Sequence, residues 1–84
     1  MNLNNNYFKK KTFIITGANQ GLGLEIAKHF YQLGANIILC ARNKKKLIKV
    51  IKLFKKKSNQ IIIAEKCDVS KPQDVDLFFK KIFK

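Results

Sequence analysis

Apolar positions along this chain change spacing five times, and each change falls at polar, glycine or proline punctuation. Thr12–Thr16 is a short β-branched and apolar run, which predicts a strand. Residues 21–33 then carry Ile26, Ala27, Phe30 and Leu33 at helical spacing, and Gly34 supplies a stop. Asn36–Ala41 is apolar without alternation, as in a strand covered on both faces. Asn43 predicts the N-cap of a second helix, in which Leu47, Val50, Ile51 and Phe54 recur at i, i+3, i+4 and i+7 until Ser58 and Asn59 break it. Residues 61–64 predict a third strand. The run Ser70-Lys71-Pro72-Gln73 reads as a capping box with its proline in the first turn. It opens a third helix that turns Val75, Phe78, Phe79 and Ile82 inward and runs to the chain end.

The order is β-α-β-α-β-α, so the fold class is α/β. Right-handed crossovers put the first two helices on one face of a parallel sheet with strand order 3-2-1. Only the third helix is left for the other face, and strand one has a single neighbour. Such a sheet is incomplete, and its strand-one edge invites pairing with a complementary segment or a second copy. Residues 1–11 form a polar, basic tail, with Asn4-Asn5-Asn6 followed by Lys9-Lys10-Lys11, and residues 12–84 form the domain.

The turn between the first strand and the first helix carries the most specific signal. It reads Thr16-Gly17-Ala18-Asn19-Gln20-Gly21-Leu22-Gly23. A helix N-terminus presents unpaired N–H groups and the positive end of the helix dipole, so it attracts anions. Glycines let the backbone turn tightly and approach a pyrophosphate closely. The string T-G-x-x-x-G-x-G, placed between strand and helix, resembles the nucleotide-binding signature of the short-chain dehydrogenase/reductase family. That resemblance implies a Rossmann-type βαβαβα half of a doubly wound sheet that binds NAD(P). It assigns cofactor contacts to Gly17, Asn19, Gln20, Gly21, Leu22 and Gly23.

Two further segments match the same family in order. Arg42 follows the second strand, where a dinucleotide site reads the adenosine ribose. An acid there would favour NAD, but the run Arg42-Asn43-Lys44-Lys45-Lys46 has none. A guanidinium suits a phosphate, so NADP(H) is expected ahead of NAD(H). The three lysines oppose the dipole of the second helix; they are either phosphate ligands or a solvated cationic face. Asp68 and Val69 end the third strand. The resemblance implies that Asp68 accepts from the adenine amino group and that Val69 lies against the ring, while the residues alone also allow Asp68 to serve the third helix's N-terminus.

The family's N-N-A-G segment, catalytic serine and Tyr-x-x-x-Lys pair have no match in these residues. Tyr7 precedes the first strand, and Tyr31 has Ala35 rather than lysine four residues on. The expected function is therefore an NADP(H)-binding amino-terminal segment of an oxidoreductase, truncated or split and inactive alone. A small nucleotide-binding module that complements another chain, or a basic polyanion-binding protein, are the alternatives.

Composition narrows the partners. Apolar residues make up 46% of the 84 positions, enough to support a core. The net charge of +13 comes from 18 Lys and Arg against 5 Asp and Glu. Lysine is used heavily throughout, and no aromatics interleave it to stack bases, so nucleic acid is not expected. No apolar run approaches the roughly 20 residues that span a bilayer, and residues 1–11 lack a signal-peptide core. No membrane partner is expected, and the cytoplasm is the expected location. Cys40 and Cys67 have no metal spacing; they read as buried thiols at the ends of neighbouring strands, and His29 as a structural histidine.

Overall fold

The computed structural model describes residues 7–83. The Asn4-Asn5-Asn6 part of the tail and the last residue of the chain lie outside them. The elements are β1 (Thr12–Thr16), α1 (Gly21–Gln32), β2 (Asn36–Ala41), α2 (Lys44–Ile51), β3 (Ile62–Lys66) and α3 (Pro72–Ile82). The three strands are parallel and lie in the order β1-β2-β3, with Thr12 opposite Asn36 and Ile37 opposite Ile62. This is the expected architecture, and among the described residues β1 pairs only with β2.

The unalternating apolar run of β2 follows from burial on both faces. Ile37, Leu39 and Ala41 join Ala27, Tyr31, Leu47, Val50 and Phe54 in the larger core, under α1 and α2. Ile38 and Cys40 face the other way and meet Cys67 and Phe78, with Ile14, Val75 and Ile82 alongside. One helix, α3, covers that second face.

Several local expectations are corrected. Ala27, Phe30 and Leu33 face the core from α1 as expected, joined by Leu24 and Tyr31, whereas Ile26 lies toward solvent. Tyr31 can be buried because its hydroxyl donates to the Lys55 carbonyl at 2.7 Å, which satisfies its polar end. Asn43 caps α2 as expected, accepting from the Lys46 N–H at 3.1 Å. That helix nevertheless ends at Ile51, well before Ser58. The chain instead takes tight turns, with the Leu53 and Phe54 N–H groups bonded to Val50 and Ile51 carbonyls, and tucks Phe54 edge-on against Tyr31.

Strand β3 begins and ends later than the periodicity indicated, at Ile62 and Lys66. Its entry is held by Gln60, whose Nε2 donates to the Tyr31 and Ala35 carbonyls, each at 2.7 Å. No capping box forms before α3. Lys71 occupies the cap position without a side-chain bond, because the Ser70 hydroxyl donates to Asp68 instead. Pro72 does stand in the first turn. Phe79 is 45% exposed and stacks on Phe83 at the surface rather than entering the core. Phe8 is the converse case: it lies in the basic segment before β1, yet is buried against Phe13 and Phe30.

Candidate functional site

At the carboxyl ends of the three strands the chain leaves the sheet in three loops, and a cleft of about 650 Å³ opens between them. Open parallel sheets bind their ligands at this end, because every strand there hands over to a loop. Gly17, Asn19 and Gln20 form one wall, Arg42 the second, and Asp68 and Val69 the third. Six of the nine expected cofactor residues are thus brought together from three separate turns. The other three, Gly21, Leu22 and Gly23, form the first turn of α1 beside the cleft instead of lining it.

The start of α1 leaves its backbone donors without a side-chain partner. Gln20 occupies the cap position with no side-chain bond, and the first turn carries no acidic residue. The first N–H groups of α1 therefore lack a side-chain acceptor at the positive end of the dipole. The preceding turn is pinned to the sheet by the Ala18 N–H, which donates to the Cys40 carbonyl at 3.4 Å. Gly17 and Gly21 both have left-handed backbone, with φ of 62° and 61°. Gly23 acts differently: a Cβ there would stand 2.7 Å from the Gly17 carbonyl oxygen. It is the contact at which α1 lies down on the turn.

Arg42 is exposed and makes no ion pair among the described residues. Its charge acts on Asp68 across the cleft. The Asp68 carboxyl is held below its ordinary range chiefly by the Ser70 hydroxyl, then by the Ser70 N–H, with Arg42 and Lys71 adding to the effect. Both Ser70 bonds go to Oδ1, at 2.6 and 3.0 Å, which leaves Oδ2 for another donor. Asp68 therefore shapes its own loop, while the first turn of α3 is served by Asp74, which accepts from the Asp68 N–H at 3.2 Å.

The lysine run divides. Lys46 lines the cleft with Arg42, whereas Lys44 and Lys45 turn toward Lys66 in a separate shallow concavity. Asn43 and Ser70 also line the cleft, and neither was a candidate. Helical spacing from the Asn43 cap is the signal that could have singled out Lys46.

Cys40 and Cys67 floor the cleft as buried free thiols, and the Cys40 thiol donates to the Cys67 carbonyl at 3.8 Å. Burial, with Cys67 beside it, pushes the Cys40 thiol from 9.0 up to about 12. A group whose folded pKa is raised contributes stability that is complete below its unfolded pKa and lost above it. The stability advantage of the wild type over Cys40→Ala is accordingly expected to shrink as pH rises from 9.0 toward 12, in paired urea melts. A constant difference across that range would place the thiol in a more hydrated setting than the cleft floor.

Comparison with known proteins adds an independent finding. The short chain dehydrogenase family model matches residues 11–84. The chain is 36% identical over 83 residues to a short chain dehydrogenase, FGM9, of Gibberella zeae, covering 94% of this chain and 24% of that protein. It is 41% identical over 66 residues to an uncharacterized oxidoreductase of Listeria monocytogenes, covering 79% and 26%. Among solved structures it is similar to L-sorbose reductase from Gluconobacter frateurii in complex with NADPH and L-sorbose, with a TM-score of 0.80 and 32% identity over 89% of this chain and 28% of that one. A metagenomic short-chain oxidoreductase in complex with NADP gives a TM-score of 0.78 at 27% identity. The chain spans about a quarter of the length of the curated relatives named here.

Proposed function

Since the chain belongs to the short chain dehydrogenase family, we propose that its cleft holds the adenosine half of a nicotinamide dinucleotide, NADP(H) in preference to NAD(H). The observation that carries the reading is Arg42, an exposed guanidinium without an ion pair among the described residues, on the same cleft as the glycine turn and Asp68. The uncapped start of α1, with Gly21, Leu22 and Gly23, supplies N–H groups to the pyrophosphate beside Gly17, Asn19 and Gln20. Arg42 and Lys46 take the 2′-phosphate, which also offsets the repulsion of cations in the first turn of α2. The free Oδ2 of Asp68 accepts from the adenine amino group, and Val69 lies against the ring.

When bound, such a cofactor exchanges a hydride with a carbonyl or alcohol. These 84 residues have no match to the family's serine or Tyr-x-x-x-Lys, so by this reading they hold the cofactor and do not catalyse alone. The proton donor and substrate pocket come from a carboxy-terminal segment that joins the sheet at the open β1 edge. Two free cysteines side by side support a reducing compartment, the cytoplasm.

Calorimetric titration with NADPH and NADH tests the cofactor assignment. Arg42→Ala is expected to weaken NADPH by roughly 1.5–3 kcal/mol, the worth of a charge-assisted hydrogen bond, and to leave NADH unchanged. Equal affinities for the two cofactors, unmoved by the substitution, would remove the basis for NADP(H).

A further inference from the structure

We propose that the outer face of α2 and the turn that follows it dock on an anionic lipid bilayer. The excess of positive charge is not spread evenly. Eight of the 17 lysines, at positions 44, 45, 46, 49, 52, 55, 56 and 57, fall within one short segment, and no acidic residue stands between Glu25 and Glu65. All eight are exposed. The ion pairs among the described residues, Lys28 with Glu25 and Lys81 with Glu65, involve none of them. Lys46 lines the cleft and Lys57 lies over the Tyr31 ring, which leaves Lys44, Lys45, Lys49, Lys52, Lys55 and Lys56 on α2 and the turn after it as the concentration of unneutralised charge that anionic headgroups require.

The same segment carries exposed apolar side chains that a purely solvated surface does not call for. Ile48 is 47% exposed and Leu53 61% exposed, and both sit among these lysines. Single-stranded nucleic acid is the competing polyanion, but it is held largely by stacking on exposed aromatics. The only aromatic of the segment, Phe54, is buried. Aliphatic side chains between cations fit the boundary between headgroups and acyl chains.

The surface is also presented rigidly. Leu47, Val50 and Phe54 anchor it in the core, and the Tyr31 hydroxyl holds the Lys55 carbonyl. A sheet that grows beyond β1 adds strands at the edge away from α2, which packs on β2 and β3. No helix among the described residues is long and apolar enough to cross a membrane, so the contact is peripheral.

Co-sedimentation of the full chain with phosphatidylcholine vesicles, with and without phosphatidylserine, tests the proposal. Binding is expected only with phosphatidylserine and is expected to weaken as salt is raised. Each lysine near an anionic surface contributes about fivefold in affinity, so Lys49→Gln/Lys52→Gln/Lys56→Gln should bind about a hundredfold less tightly. Lys9→Gln/Lys10→Gln/Lys80→Gln has the same net charge with its losses elsewhere, and should stay close to wild type. Glutamine is nearly as good a helix former as lysine, so both variants fold, which circular dichroism verifies. Ile48→Ala/Leu53→Ala should weaken vesicle binding and leave binding to an oligouridylate unchanged. Binding without phosphatidylserine, equal losses in the two triple variants, or tighter binding to the oligouridylate than to vesicles would overturn the proposal.

Discussion

Gly23→Val is expected to cost more stability than any other single change in the glycine turn, and to abolish nucleotide binding with it. The atoms that meet a Cβ at Gly23 are all backbone: the Gly17 carbonyl oxygen at 2.7 Å, its carbon at 3.2 Å and the Ala18 Cα at 3.3 Å. Backbone cannot rotate aside as a side chain does. Ala18 is fully buried and bonded to the Cys40 carbonyl, so the turn cannot retreat into the sheet. The helix must lift instead. Overpacking ordinarily costs about 1–3 kcal/mol, and the fixed geometry here puts valine at or beyond the upper end. Gly21→Ala is the informative contrast. Its Cβ would meet nothing within 4 Å, and the penalty is only that of a left-handed L-residue, roughly 1–2 kcal/mol. Thermal melting of the two variants, followed by titration with NADPH, separates them. A Gly23→Val protein that melts with the wild type would mean that α1 does not rest on the turn.

Leu39→Ala is expected to leave the domain without a cooperative unfolding transition at physiological temperature. Leu39 is fully buried in β2, the one strand with neighbours on both sides. Truncating a core leucine costs about 2–5 kcal/mol, through lost transfer energy and the cavity left behind. Against this stands a stability of roughly 0.05–0.15 kcal/mol per residue in a small domain. The open edge of β1 and the single helix over the second face place this chain at the low end. Urea melts at several temperatures measure the loss. A midpoint close to wild type would show that α1 and α2 can settle into the vacated volume.

The order of elements and the strand order were legible because β2 is apolar on both faces and because Gly34, Asn43 and Pro72 punctuate the helices. Six site residues were legible for a related reason: a parallel sheet delivers the ends of all its strands to one place, whatever their separation in sequence. The misses share a different cause. Phe8 and Phe79 are equally apolar, and sequence spacing cannot say that Phe8 finds Phe13 and Phe30 or that Phe79, edge-on to Phe78, stacks on Phe83 at the surface. The end of α2 was hidden because the apolar period runs on through Phe54 although the helix stops at Ile51. The capping box failed because Ser70 had a nearer acceptor in Asp68.

Strand order and chain order coincide in this sheet, and that has a consequence in time. Each strand pairs with the one made immediately before it, closing a span of about 25 residues: Thr12 with Asn36, then Ile37 with Ile62. Short closures of this kind carry a small entropic cost and form early. A ribosome delivering the chain from its amino end therefore lets β2 pair with β1, and β3 with β2, as soon as each is made. Through these three strands assembly advances in one direction, and the outer edge of the first strand made is the place where any later strand must return.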